Sequence, residues 1–343
     1  MPVLWLDLGR PCPRAWLPGV RAAQFRLSRL AEQGIVSESA FMQFQAATGW
    51  ADVGWRAFAQ PETWQRGEIR GTVVFIHGWD GDGRIWEDLP AQVARALPHA
   101  LVLAPDVNGF GQSPFRDPGH VGLDETAPPA LMRALERWLA LIGLGPGPEH
   151  AVLWIGHSMG GAALFYAHPT PASARLALAP ALLLNDVLRK GFYQAMGMGI
   201  WAGQVLERLL TALSPLVVER LIGGASEYVK TVHEEVFRAT PKRVLAAAFF
   251  ALARGEVPPM HEDARRHLEV VLGHRDRLVG LMPMLDLLAE LGLPARHVRV
   301  LFGDHYFFSV GHLYPQWHQE GRTFVFSRIL HWWRRLTEGA HPA

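Results

Sequence analysis

The sequence predicts an α/β chain: a mostly parallel central sheet flanked by helices, with a helical insertion late in the chain. Three observations lead there. Short apolar runs, TVVFIHG after Gly71, ALVLAPD from Ala100 and AVLWIGHS from Ala151, each stop at a glycine, aspartate or serine, as buried strands feeding loops do. A helical pattern, PALMRALERWLALIGL, separates the second run from the third, and strands that alternate with helices pair in parallel. Between about residues 187 and 258 the strand pattern disappears, Trp201, Val205, Leu209 and Leu213 recur every fourth residue, and VLAAAFFALA adds a second helical run.

In chain order, residues 1–70 are read as an N-terminal extension with possible first strands, including an amphipathic stretch from about Gly19 to Ala31 and a segment dotted with Trp and Phe. Residues 71–186 and 259–338 form the α/β core, and 187–258 the helical cap insertion. After Ser158, the small residues Gly160, Gly161, Ala162 and Ala163 open a short, tightly packed helix. His168-Pro169 ends it, because a residue before proline avoids the α region. RLALAPALLL from Arg175 reads as a further strand finishing near Pro180. The sheet resumes in HLEVVLGHRD from His267 and HVRVLFGDHYFF from His297, with a helix, LMPMLDLLAELG, between them.

A chain of 343 residues, 49% apolar, has material for one elaborated domain. Its 33 basic and 32 acidic residues nearly cancel, so no broad positive field exists to gather nucleic acid. The sole cysteine, Cys12, cannot form an intramolecular disulfide, and the N-terminal stretch lacks a signal-peptide pattern; a cytoplasmic location is expected. The apolar region around 196–222 is interrupted by Gln204, Glu207, Arg208, Glu219 and Arg220, so no membrane span is expected. His261-Glu262-Asp263 has ligand types without ligand spacing, no Walker loop occurs, and no G-x-G-x-x-G opens a helix, so neither a metal nor a cofactor is expected.

The chemistry-bearing signal is Gly156-His157-Ser158-Met159-Gly160, a G-x-S-x-G pattern between the apolar run AVLWI and the small-residue helix. Acyl transfer needs a hydroxyl thrust clear of the backbone, and a sharp strand-to-helix turn supplies it by holding serine in a sparsely populated conformation. Glycines two residues before and after remove side chains that would collide, and the helix start aims free N–H groups at a reacting carbonyl oxygen. The competing reading is a helix N-cap serine between chance glycines. His157, adjacent to the serine, is read as a packed residue of the turn.

On these residues the chain resembles the α/β-hydrolase family, of which GHSMGG is a signature, and the resemblance runs over roughly residues 71–313. VFIHGWDGDGRIW is similar to the family's oxyanion loop, which implies the backbone N–H of Trp79 as one oxyanion donor; that of Met159 would be the second. APDVNGFGQSP is similar to the loop beside that site, and chain order argues against its Asp106 as a catalytic acid. A serine nucleophile requires a histidine base and a carboxylate to orient it. Asp276, in EVVLGHRDRLVG, resembles the family's acid; the alternative is a solvated loop aspartate paired with Arg275 or Arg277. His305, in VLFGDHYFFSVGH, resembles its base, with His312 as the rival and Asp186 as a second candidate acid.

The triad Ser158, Asp276 and His305 implies attack on an ester or related acyl bond through an acyl-enzyme, with a small-molecule acyl substrate, small to medium and hydrophobic. Thioesterase, carbon–carbon hydrolase and cofactor-free perhydrolase activities, or a non-catalytic ligand receptor on the same fold, are the alternatives. Serine at the elbow disfavours the dehalogenase and epoxide hydrolase branches. Met196, Met198, Trp201, Phe249 and Phe250 are candidates to line an acyl pocket, or else to pack the insertion onto the sheet.

Overall fold

The apolar runs become nine strands of one sheet: β1 (Arg10–Pro11), β2 (Arg21–Arg26), β3 (Gly54–Ala59), β4 (Gly71–Ile76), β5 (Ala100–Pro105), β6 (Ala151–His157), β7 (Ser173–Leu178), β8 (Leu268–Gly273) and β9 (Val298–Leu301). The computed structural model describes residues 5–12, 17–202, 219, 222, 224–310 and 315–338. Spatial order is β1-β2-β3-β5-β4-β6-β7-β8-β9. The pairs from β5 to β9 are parallel, whereas β1, β2 and β3 run antiparallel at one end. Every residue of β4, β5, β6, β7 and β8 is buried, because helices cover both faces, which is why those strands read as unbroken apolar runs. The edge strand β9 is only partly covered.

The stretch read as amphipathic from Gly19 to Ala31 is not one element: strand β2 passes at Arg26 into a short helix, Leu27–Glu32. The aromatic residues of the first 70 explain themselves here. Phe25 stacks on Trp55 at 5.5 Å between ring centroids, and Trp55 meets Trp138 of helix Pro128–Leu141 edge-on at 5.3 Å, so the antiparallel strands share the core of the parallel ones. At the far end, helix Pro315–Glu338 buries Val325, Ile329 and Trp332 and grips the sheet through Glu269 of β8, which accepts from Arg328 and from the Trp332 indole at 2.8 Å.

Between β7 and β8 lie helices Val187–Ala202, Glu227–Ala239, Lys242–Arg254 and Glu262–Arg266 and no strand among the described residues. Val205, Leu209, Leu213 and His312 lie outside those residues. Among the described residues no helix is long and apolar enough to cross a membrane.

The topology concentrates chemistry at one edge. The chain leaves β4 for β5 on one side and returns to β6 on the other, so the loops after β4 and β6 diverge at the carboxyl ends of adjacent strands, where open α/β sheets hold their ligands.

Candidate active site

Strand β6 ends at His157, and Ser158 turns the chain directly into helix Met159–Ala163 with φ 54° and ψ −115°. A non-glycine residue there carries strain of order 1–3 kcal/mol that the surrounding packing must hold. The glycines explain how. A β-carbon on Gly156 would come within 2.4 Å of the Gly160 oxygen, and one on Gly160 within 2.5 Å of the Ile76 oxygen. Helix and strands therefore approach at backbone distance, and the short helix packs without side chains at its start.

Two loops away, His305 Nδ1 and Asp276 Oδ2 are 2.7 Å apart, both groups buried. The other carboxylate oxygen of Asp276 accepts from the backbone N–H groups of Leu278 at 2.9 Å and Val279 at 3.0 Å, so the loop after β8 presents the acid in one orientation. No arginine pairs with it among the described residues; Arg275 lies over the Trp317 ring instead. Ser158 and His305 line one cavity, and among the described residues the Ser158 hydroxyl makes no side-chain cap bond to its helix. A nucleophile's bond to its base often tightens only when substrate arrives.

Asp186 and Asp106 are engaged elsewhere. Asp186 accepts from the Arg189 backbone N–H at 2.9 Å and pairs with the Arg189 guanidinium at 2.5 Å, capping helix Val187–Ala202. Asp106 accepts from the N–H groups of Gly83 and Gln112, both at 2.9 Å, shaping the loop after β5; burial pushes its carboxyl up to about 6.

The loop after β4 is held by His77. Its Nε2 accepts from the Val107 N–H at 2.9 Å, which leaves Nδ1–H to donate to the Gly78 oxygen at 2.8 Å. Burial lowers its pKa to about 4, so the ring is neutral and this tautomer persists at neutral pH. In a planar trans peptide the N–H points opposite to the C=O, so anchoring the Gly78 oxygen also aims the Trp79 N–H. That N–H has no backbone acceptor among the described residues, and neither has the N–H of Met159, the first residue of its helix. The Trp79 side chain is occupied separately, since its indole donates to the Leu245 oxygen at 3.0 Å and its ring lies 4.0 Å from that of Phe249, tying helix Lys242–Arg254 to this loop.

The sequence model of the alpha/beta hydrolase family matches residues 73–324. The chain belongs to the alpha/beta hydrolase family. Lipase LipV of Mycobacterium tuberculosis is 35% identical over 116 residues, 33% of this chain and 38% of that lipase, so the match spans well under half of the curated relative. Among solved structures, a thermophilic esterase from Thermogutta terrifontis aligns with TM-score 0.55 at 18% identity, covering 83% of this chain and 94% of its own. Esterase RhEst1 from Rhodococcus sp. ECU1013 aligns with TM-score 0.53 at 21% identity, covering 80% and 95%. At such identities the two structures speak for the fold. Together these matches establish the family and its α/β-hydrolase fold.

The cavity is lined by the loop residues Gly78, Trp79 and Asp80, by Ser158, His305 and Tyr306, and by Tyr193, His233, Phe249 and Leu252 from the helices between β7 and β8. It leaves about 40 Å³ for the centres of water-sized groups, room for a few. Of the five candidate lining residues only Phe249 faces it. On helix Val187–Ala202 the buried side is Tyr193, Gly197 and Ile200, which turns Met198 and Trp201 out to 54% and 48% exposure, while Met196 and Phe250 pack against the core.

Sequence reasoning missed Asp80, His233 and Tyr306. His233 carried a signal, since Val229, Val232 and Val236 mark the buried face of helix Glu227–Ala239 and a histidine on that face faces inward.

Proposed function

We propose that this chain is a serine hydrolase that cleaves a carboxylic ester of a small, largely apolar acyl group. The observation that carries the reading is that Ser158, strained at its turn, faces the same cavity as His305, whose Nδ1 shares a 2.7 Å hydrogen bond with Asp276.

His305 donates Nδ1–H to Asp276, so Nε2 carries the lone pair. As the Ser158 oxygen attacks the carbonyl, Nε2 takes its proton, and Asp276 stabilises the imidazolium. The backbone N–H groups of Trp79 and Met159 receive the developing oxyanion; preorganised donors of this kind lower the barrier by several kcal/mol. Collapse breaks the bond to the alcohol, which leaves with the proton from His305. Water then attacks the acyl-enzyme with His305 again as base, releasing the acid and restoring the Ser158 hydroxyl.

The helices of 187–258 act as a cap over this site, since Tyr193, His233, Phe249 and Leu252 supply one wall of the cavity. The single cysteine, Cys12, fits a reducing cytoplasm.

A fluorophosphonate probe should label the wild type and leave Ser158→Ala unlabelled, and short-chain nitrophenyl esters should be hydrolysed by the wild type alone. Binding of a small ligand with neither labelling nor turnover would overturn the reading in favour of a receptor on the same fold.

A further inference from the structure

The cavity beside Ser158 holds polar groups that this mechanism does not use. Asp80, His233 and Tyr306 line it at 1%, 3% and 3% exposure. They come from three distant places: the loop after β4, helix Glu227–Ala239 and the turn after β9. The Tyr306 hydroxyl is 2.7 Å from His233 Nε2. Whichever of the two donates, the Tyr306 oxygen keeps a lone pair for another partner.

The Asp80 carboxyl is less provided for. Its Oδ1 has no hydrogen-bond partner among the described residues, and its Oδ2 lies 3.7 Å from His233 Nδ1, too far for a hydrogen bond. Lys242, whose charge reaches Asp80, directs its ammonium at the oxygens of Phe237 and Thr240. Burial raises the pKa of this carboxyl well above the ordinary range and so favours its protonated form, which presents both a donor and an acceptor, while the Lys242 charge acts in the opposite sense.

A buried polar atom left without a partner costs stability unless a ligand completes it, and Asp80 and Tyr306 border the reaction cavity. The complement of the Tyr306 oxygen and of a carboxyl in either protonation state is a group that both donates and accepts. An ammonium only donates, a carboxylate only accepts, and a hydroxyl does both. We propose that Asp80, His233 and Tyr306 form a subsite that reads a hydroxyl carried by the substrate near its scissile carbonyl, so that hydroxylated esters are the preferred substrates; this rests on the serine-hydrolase reading above.

The test compares matched pairs: nitrophenyl butyrate with nitrophenyl 3-hydroxybutyrate for a hydroxyl on the acyl side, and ethyl butyrate with 2-hydroxyethyl butyrate for one on the alcohol side. The wild type should favour the hydroxylated member of at least one pair by about tenfold or more in kcat/KM, since a site built to bond a hydroxyl discriminates against its absence. That ratio should collapse toward one in Tyr306→Phe and in Asp80→Ala. Asp80 sits at φ 57°, where alanine is strained, so Tyr306→Phe decides the matter if the alanine variant does not fold. Ratios near one in both wild-type pairs, or a preference that survives the variants while Ser158 still takes the fluorophosphonate, overturn the subsite and leave the hydrolase reading standing. Failure of Ser158 to react overturns both.

Discussion

The Nε2 of His157 lies 3.0 Å from the backbone oxygen of His305, so the residue before the elbow serine donates a hydrogen bond to the turn that bears the Asp276-paired imidazole. Burial holds the His157 ring neutral, its pKa well below the usual range, and its Nδ1 has no partner among the described residues. The bond couples β6 to the turn after β9 across the site. His157→Leu removes the donor and strands a buried carbonyl, which costs about 1–3 kcal/mol. A lowered midpoint in thermal unfolding, with kcat falling more than KM rises on a short nitrophenyl ester, is the expected result; an unchanged midpoint would refute the coupling.

Asp276→Asn preserves shape but inverts the polarity at His305 Nδ1. The ring then loses the tautomer that leaves Nε2 free, and kcat should drop by about 10⁴-fold with little loss of stability. Steady-state kinetics and the rate of fluorophosphonate labelling both read this. Activity within tenfold of wild type would point to a different carboxylate.

Ser158→Gly releases the strain at φ 54°. Glycine adopts that conformation freely, though it adds entropy to the unfolded chain, so the net gain is about 1 kcal/mol. Chemical denaturation should find the variant more stable and inactive. A variant no more stable than wild type would mean that the turn is not strained.

Gly160→Ala does the opposite. Its β-carbon would meet the Ile76 and His77 oxygens at 2.5 and 2.6 Å, and backbone cannot swing away as a side chain can. A loss of more than about 2 kcal/mol in denaturant unfolding, or failure to fold, is expected.

His77 makes stability depend on pH. Its folded pKa of about 4 lies below the unfolded value near 6.5, so the unfolded chain takes up the proton first. The contribution is complete above about pH 6.5 and is lost as pH falls toward 4. Asp106, pushed up to about 6, works in the opposite sense, so the clean comparison is with a variant. The stability difference between wild type and His77→Gln should shrink by about 2 kcal/mol between pH 7.5 and 5 in urea titrations. A constant difference would contradict a neutral, buried imidazole.

The α/β class and the elbow were legible because each depends on neighbours in sequence. Unbroken apolar runs report strands covered on both faces, and Gly156, Ser158 and Gly160 sit on one contiguous strand-turn-helix whose sterics dictate their identity. Two limits were also visible in particular residues. The stretch from Gly19 to Ala31 has helical spacing yet half of it pairs as β2 with β3, an energy available only once β3 exists. Met198 and Trp201 are apolar but face outward, because the docking of helix Val187–Ala202 chose Tyr193, Gly197 and Ile200 as its buried side.

By itself, then, the sequence determined the strand-ended loops and the chemistry offered at each: a serine after β6, an aspartate after β8, a histidine after β9. Tertiary structure decided which of those groups meet, and it alone assembled Asp80, His233 and Tyr306 around the cavity. The physical reason is range. Local sterics and periodicity act over a few residues, whereas the direction of a side chain from a helix between two strands follows from how that helix packs against distant parts of the chain.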